Sequence, residues 1–177
     1  PKAGGLTAVV DWFKPRGCKP KDLLLPVLGT MLGYLALHVV DSLLAATVPG
    51  ASCFVPHLGA VAVLLFCAPA APFSQPRNVL LGHLVATLAA VLSFNALGTT
   101  LPLSLGRGAS LATSIVAMQV FGALHPPAAA FAALYYGSAP LHDLGYKVLL
   151  YPGLVGAAVL LVVQKVAMKL IEAFSSE

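Results

Sequence analysis

Hydrophobic residues run along this chain in long blocks, and the charged positions between them leave charge-free runs at 23–40, 42–76, 78–106, 108–142 and 148–164. Each run is of the order of the roughly 20 residues that an α-helix needs to cross a bilayer. A soluble helix of this length shows polar faces at helical period, and segments such as 79–92 show none, so the pattern belongs in lipid. The blocks predict a first span over 22–47, a turn at 48–52 around Pro49 and Gly50, and a short apolar helix over 57–68 that Pro69 and Pro72 end. At 1.5 Å per residue such a helix reaches only about 18 Å, too short to span unless it begins near Ala51. A polar loop at 74–78 leads into a full span over 79–101, and a loop at 102–108 with Arg107 precedes a helix over 109–123. There Pro126 and Pro127 remove backbone donors and break the helix, which restarts over 126–136 because proline suits a first turn. A loop at 137–146 and a final span over 147–171 complete the chain.

The expected fold is therefore all-α, a polytopic bundle of four full spans with two short helices at 57–68 and 126–136. If the short helices re-enter there are four crossings, the preferred reading; if they cross fully there are six. The expected organisation is a basic interfacial arm at 1–21 around Trp12 and Phe13, one transmembrane domain at 22–171 and a short polar tail at 172–177. An internal repeat is suggested by His57-Leu-Gly-Ala-Val-Ala-Val-Leu-Leu-Phe with Pro72 after it, against His125-Pro-Pro-Ala-Ala-Ala-Phe-Ala-Ala-Leu with Pro140 after it. Paired interrupted segments in two halves point to a transport site near the bilayer midplane.

Composition strengthens the membrane reading. Of 177 residues, 59 % are hydrophobic and 9 % charged, against roughly a quarter charged in ordinary globular chains. The net charge of +4 does not imply a nucleic-acid partner, because Lys2, Lys14, Arg16, Lys19 and Lys21 crowd the start, a membrane-flank pattern. Lys165 and Lys169 close the last apolar block, which places both termini on one cytoplasm-like side. Cys18, Cys53 and Cys67 are scattered and odd in number, so neither a disulfide framework nor a metal site is expected. The first residue, Pro1, is compatible with a processed N-terminus and a removed targeting peptide.

Candidate chemistry centres on His125-Pro126-Pro127, because irregular backbone at membrane depth is tolerated only where protein buries it or a cavity borders it. Backbone N–H groups from Ala128 onward would point into the break, with the positive end of the helix dipole favouring an anion. Gly59 and Ala60, after Pro56 and His57, would present the matching end of the other short helix. A kink for packing alone is the alternative. His57 and His125 can donate a hydrogen bond when neutral and add charge when protonated, selecting anions or coupling to protons. His83 is a second candidate, facing the bundle or sitting at the interface. Arg77, with Gln75 and Asn78, would draw anions to a cavity mouth or snorkel to headgroups. His38 and Asp41 form either a proton-relay pair or the wet end of the first span.

Beyond the HPP tripeptide, Gly59-Ala60, Val63-Leu64-Leu65-Phe66, Ala68-Pro69, Gln75-Pro76-Arg77-Asn78-Val79 and Gly82-His83 stand in order over roughly residues 25–170. In these features the chain resembles the HPP family of integral membrane proteins. The resemblance implies a compact protein with four membrane-spanning helices. It also implies nitrite transport, at the chloroplast envelope in a photosynthetic eukaryote and at the plasma (inner) membrane otherwise. Formate, nitrate and bicarbonate are similar planar anions. Family members carry a small or aromatic residue before Gly-Ala where this chain has His57-Leu58, so His57 is a candidate of this chain alone.

The leading expectation is thus transport of a small monovalent anion, with substrate contacts from His125, Pro126, Pro127, Ala128, Gly59, Ala60, His57, Arg77, Asn78 and His83. The alternative is a non-transporting accessory subunit of a larger membrane complex. An enzyme ranks last, because no Ser/His/Asp set, paired carboxylates or metal-ligand spacing occurs. No cofactor is implied. The expected partners are a small inorganic anion, the lipid bilayer and either a homo-oligomer or other membrane subunits, with Gly29/Gly33 and Gly153/Gly156 as close-packing surfaces.

Overall fold

The computed structural model describes residues 17, 20–44, 47, 52–98 and 100–175. The basic arm at 1–21 and the turn at 48–52 lie almost wholly outside the described residues, as does the end of the tail. Every described element is helical: α1 (Leu24–Leu44), α2 (Pro56–Cys67), α3 (Pro76–Leu97), α4 (Leu103–Val120), α5 (Pro126–Tyr136), the four-residue α6 (Ala139–His142) and α7 (Gly153–Ser175). Short 3-10 turns at Pro20–Leu23, Pro72–Ser74 and Gly145–Leu149 connect them.

Four helices are long and two are short, in the order expected from the apolar blocks. Leu24–Leu44, Pro76–Leu97 and the stretch Gly145–Phe174 are long and apolar enough to cross a membrane. The fourth long helix, α4, has 18 residues, but Ser104, Arg107, Ser110, Thr113, Ser114 and Gln119 interrupt its apolar character. It starts at Leu103 rather than near 109, so the expected loop at 102–108 is mostly helix. Nothing in Ser104-Leu-Gly-Arg-Gly forbids helix. The expected loop at 137–146 contains α6, and regular α-helix in the last span begins only at Gly153, after a cis Tyr151–Pro152 bond.

The long helices are amphipathic by size. On α1 the inward positions are Gly29, Gly33 and Leu37, while Val27, Leu28, Met31, Leu35, Val39 and Leu43 are exposed. Lipid tails are as apolar as leucine, so membrane helices associate through close packing of small residues, with large side chains left to the lipid. A Cβ on Gly29 would stand 2.5 Å from the Phe66 ring, and one on Gly33 2.7 Å from Leu160. Gly153 likewise abuts Phe131, and Gly156 receives Leu58. The four glycines expected as faces for a neighbouring protein are thus spent on contacts within the chain.

Packing divides the bundle into two lobes. In one, α2 is wrapped by α1 and α7 around Leu58, Val61, Leu65, Phe66 and Leu160. In the other, α5 is wrapped by α4 and α3, with Phe131, Ala132 and Tyr135 packed on Ala90 and Val91. Exchanging α1, α2 and α3 for α4, α5 and α7 maps this pattern of helix pairs onto itself, and the pairs α3 with α7 and α2 with α5 map onto themselves. The two halves therefore share one plan, and each lends its last helix to the other's lobe. Hydrogen bonds add to the packing: Ser110 donates to the Ala132 carbonyl at 3.0 Å, Ser114 to Ala86 at 2.9 Å and Gln164 to Leu65 at 3.0 Å.

Candidate functional site

The two short helices begin at the seam between the lobes. Pro56 and Pro126 stand in their first turns, and His57 and His125 are carried beside them. From α3, His83 lies between: its ring centroid is 5.5 Å from that of His57 and 4.9 Å from that of His125. Phe131 closes the row, 4.4 Å from His57. The three histidines are 4 %, 0 % and 0 % exposed for His57, His83 and His125, so the cluster is sealed inside the protein.

Local sequence explains how the rings reach one another. The inward face of α3 reads Val79, Gly82, His83, Ala86 and Ala90, at helical spacing, with Leu80, Leu84, Leu88 and Leu92 outward. Gly82 has no room for a side chain, since a Cβ there would stand 2.6 Å from the Ala123 carbonyl oxygen and 2.8 Å from His125 Cβ. The HPP turn therefore rests directly on the α3 backbone beside His83. Gly122, at φ 56°, reverses the chain after α4, a left-handed conformation that glycine adopts without steric cost.

Freed carbonyls at this break are met from the other hallmark block. Arg77 donates to the carbonyls of Phe121, at 2.8 Å, and Gly122. Asn78 donates to that of Leu124 at 2.9 Å. Arg77 itself is exposed, at the rim of the bundle. Gln75 turns the other way, onto the Pro69 and Ala71 carbonyls at 3.2 and 3.1 Å, and Ser74 closes the end of α2 through Leu64 and Ala68. In this way Arg77 and Asn78 clasp residues 121–124.

Ring hydrogen bonds fix two of the three tautomers. Nδ1 of His125 lies 2.8 Å from the Phe73 carbonyl, and Nδ1 of His83 lies 2.8 Å from that of Val79. A carbonyl oxygen only accepts, so each Nδ1 carries the hydrogen, and in the neutral ring Nε2 is left as a bare acceptor. Nε2 of His83, Nε2 of His125 and both ring nitrogens of His57 are buried without a partner. An unsatisfied buried polar group costs about 1–3 kcal/mol, so four together at one place mark a polar site rather than ordinary core. Among the described residues no group of three or more His, Cys, Asp or Glu is placed to hold a metal ion.

The remaining candidates lie around this cluster. Pro127 and Ala128 are buried in the first turn of α5, where the Ala128 N–H bonds the His125 carbonyl at 3.0 Å. The donor expected to point into the break is therefore already engaged. Gly59 faces the Tyr34 hydroxyl across α1, and Ala60 is exposed, so neither borders the histidines. Asp41 accepts from Tyr151, from the Cys53 N–H at 2.7 Å and from Ser52 at 3.2 Å, tying the end of α1 to the start of the last span. Its hydrogen bonds are structural, and His38, which also acts on it electrostatically, stands beside Phe54 with ring centroids 6.3 Å apart. Phe131, the Phe73 carbonyl and Met118, whose sulfur lies 3.4 Å from the His125 N–H, escaped the sequence reading. For Phe131 a usable signal existed: it sits one and a half turns after Pro126, on the buried face of α5.

Comparison with known proteins fits this architecture. A family model described as HPP, transmembrane region, matches residues 15–174. Two transmembrane proteins of Dictyostelium discoideum are 32 % and 31 % identical to the chain over 103 residues, covering 58 % of it in each case. The matched region is 33 % and 36 % of those two proteins, so the chain spans about a third of the length of the curated relatives it matches. No solved structure is significantly similar.

Proposed function

The chain belongs to the HPP transmembrane family and is an integral membrane protein, and from that premise we propose that it moves a small monovalent anion, nitrite foremost, across its membrane. The observation that carries this reading is the sealed cluster of His57, His83 and His125, with four unpartnered ring nitrogens, where two interrupted helices meet. Buried ionisable groups inside a bundle are expensive and mark substrate or ion paths. In this reading α1, α3, α4 and α7 are the four crossings. The helices α2 and α5, 12 and 11 residues long, enter part-way, reaching about 18 Å and 16 Å at 1.5 Å per residue. Arg77 and Asn78 hold the HPP turn in place at the mouth, and transport proceeds without covalent chemistry. Such a carrier would serve a plastid envelope in a photosynthetic eukaryote and a plasma membrane elsewhere.

The test is flux of nitrite, nitrate, formate and chloride into proteoliposomes containing the purified chain. Selective nitrite entry supports the reading. Entry of none of the four by correctly inserted protein rejects it and favours a non-transporting subunit of a larger assembly.

A further inference from the structure

At two of its three rings, His83 and His125, the cluster that the anion would traverse presents acceptors. Nε2 of His83 and of His125 each point a lone pair into it, because both Nδ1 atoms are committed to the Val79 and Phe73 carbonyls. An anion is itself an acceptor, so these neutral rings offer it no hydrogen bond and repel its charge. Other donors are scarce in the same place: the neutral His57 ring carries one unpartnered N–H. Pro56, Pro126 and Pro127 have no N–H, and the N–H groups of Leu58 and Ala128 bond Val55 and His125 carbonyls. Arg77 and Asn78 spend donors on the carbonyls of 121–124.

Around the three rings the packed elements contribute Phe131 from α5, Gly82 from α3, Gly153 from α7 and Met118 from α4. None of these titrates. The electrostatic neighbours of His57 and His83 are other histidines, and no carboxylate among the described residues acts on any of the three rings. At His83 and His125 the one way to acquire both a donor and a positive charge is to take up a proton at Nε2.

Resting on the anion-transport reading above, we propose that the anion crosses the cluster together with a proton, bound at Nε2 of His83 or His125, as an electroneutral pair. The proton adds to the Nε2 lone pair, the resulting imidazolium N–H donates to the anion, and the proton departs on the far side with it, restoring the neutral ring. His57, with neither ring nitrogen engaged, can accept at one nitrogen and release at the other, passing the proton to His83. The Phe131 face and a closed seam give the imidazolium–anion pair a low-dielectric setting, in which such a charge-assisted bond is strong.

Proteoliposomes carrying a pH-sensitive dye, with the membrane potential set by potassium and valinomycin, test this directly. The expected result is one proton entering with each nitrite and an uptake rate independent of potential. His125→Gln, which keeps a donor for the Phe73 carbonyl but has no basic nitrogen, should lower proton-coupled uptake about tenfold or more. Nitrite flux that follows the potential and carries no proton overturns the coupling and leaves the transport reading standing. Absence of any anion flux removes both. A second measurement does not depend on flux: 15N NMR of histidine-labelled protein at neutral pH should show His83 and His125 as neutral rings protonated at Nδ1. Resonances of the Nε2–H tautomer or of imidazolium in the anion-free protein would overturn the proposal.

Discussion

Gly82→Ala is the smallest perturbation that reports on the site. The new Cβ would stand 2.6 Å from the Ala123 carbonyl oxygen and 2.8 Å from His125 Cβ. Carbon atoms pack at about 3.5–4.0 Å, so His125 must retreat by roughly 0.7 Å or more. Backbone sits on both sides of this contact, and the clasp from Arg77 and Asn78 holds 121–124 in place, so no flexible side chain can absorb the change. Overpacking of this kind costs about 1–3 kcal/mol. It also draws His125 away from His83 and strains its bond to Phe73. Thermal unfolding in detergent, run beside nitrite flux, should show lowered stability and slowed flux in Gly82→Ala. Gly108→Ala is the control, an α4 glycine with nothing within 4 Å of the position a Cβ would take; it should be neutral or slightly stabilising, since alanine suits a helix interior better by about 0.5–1 kcal/mol. Equal stability and flux in wild type and Gly82→Ala would refute the close seating of the HPP turn on α3.

Arg77→Ala should free the Phe121 and Gly122 carbonyls, lowering stability by about 1–2 kcal/mol once its exposure is allowed for and speeding hydrogen exchange over 121–125; unchanged exchange there would deny the clasp. Asp41→Asn and Tyr151→Phe should each destabilise the chain and should be non-additive together, with a coupling of about 0.5–3 kcal/mol as expected for residues in contact, read from a double-mutant cycle. Phe131→Ala should cost about 3–5 kcal/mol as a large-to-small change in the core and weaken discrimination among anions, because it opens space beside His57; a selectivity series matching the wild type would argue against Phe131 as a wall of the site.

Much of this architecture was legible in the residues because membrane folding obeys few rules. Charge-free blocks set the long helices, and prolines set the starts of the short ones at Pro56 and Pro126. Repeat spacing between His57 and His125 foreshadowed the exchange symmetry of the two lobes. What sequence could not give was direction around each helix. His83 ranks second because it stands near the start of its span, a place that suits the bundle or the interface; its inward orientation emerges only from Gly82 and Ala86 beside it, against an outward row of leucines. Arg77, with Asn78 beside it, reads as a cavity mouth or a headgroup contact, yet their partners are carbonyls more than forty residues away, a pairing no local pattern encodes. Gly29 and Gly33 read as a face for the close approach of another helix, but small-residue spacing does not say whether that neighbour belongs to the same chain. Ala128 looked like a free donor because the bond of its N–H to the His125 carbonyl depends on the geometry of the restart.

The most direct measurement is nitrite flux in proteoliposomes for the wild type beside His83→Ala, His125→Ala and the control Gly108→Ala, at matched insertion and thermal stability. The account predicts selective nitrite entry by the wild type, loss of most of that flux in His83→Ala and His125→Ala, and flux retained in Gly108→Ala. Histidine variants that carry nitrite as fast as the wild type would contradict a path through the cluster.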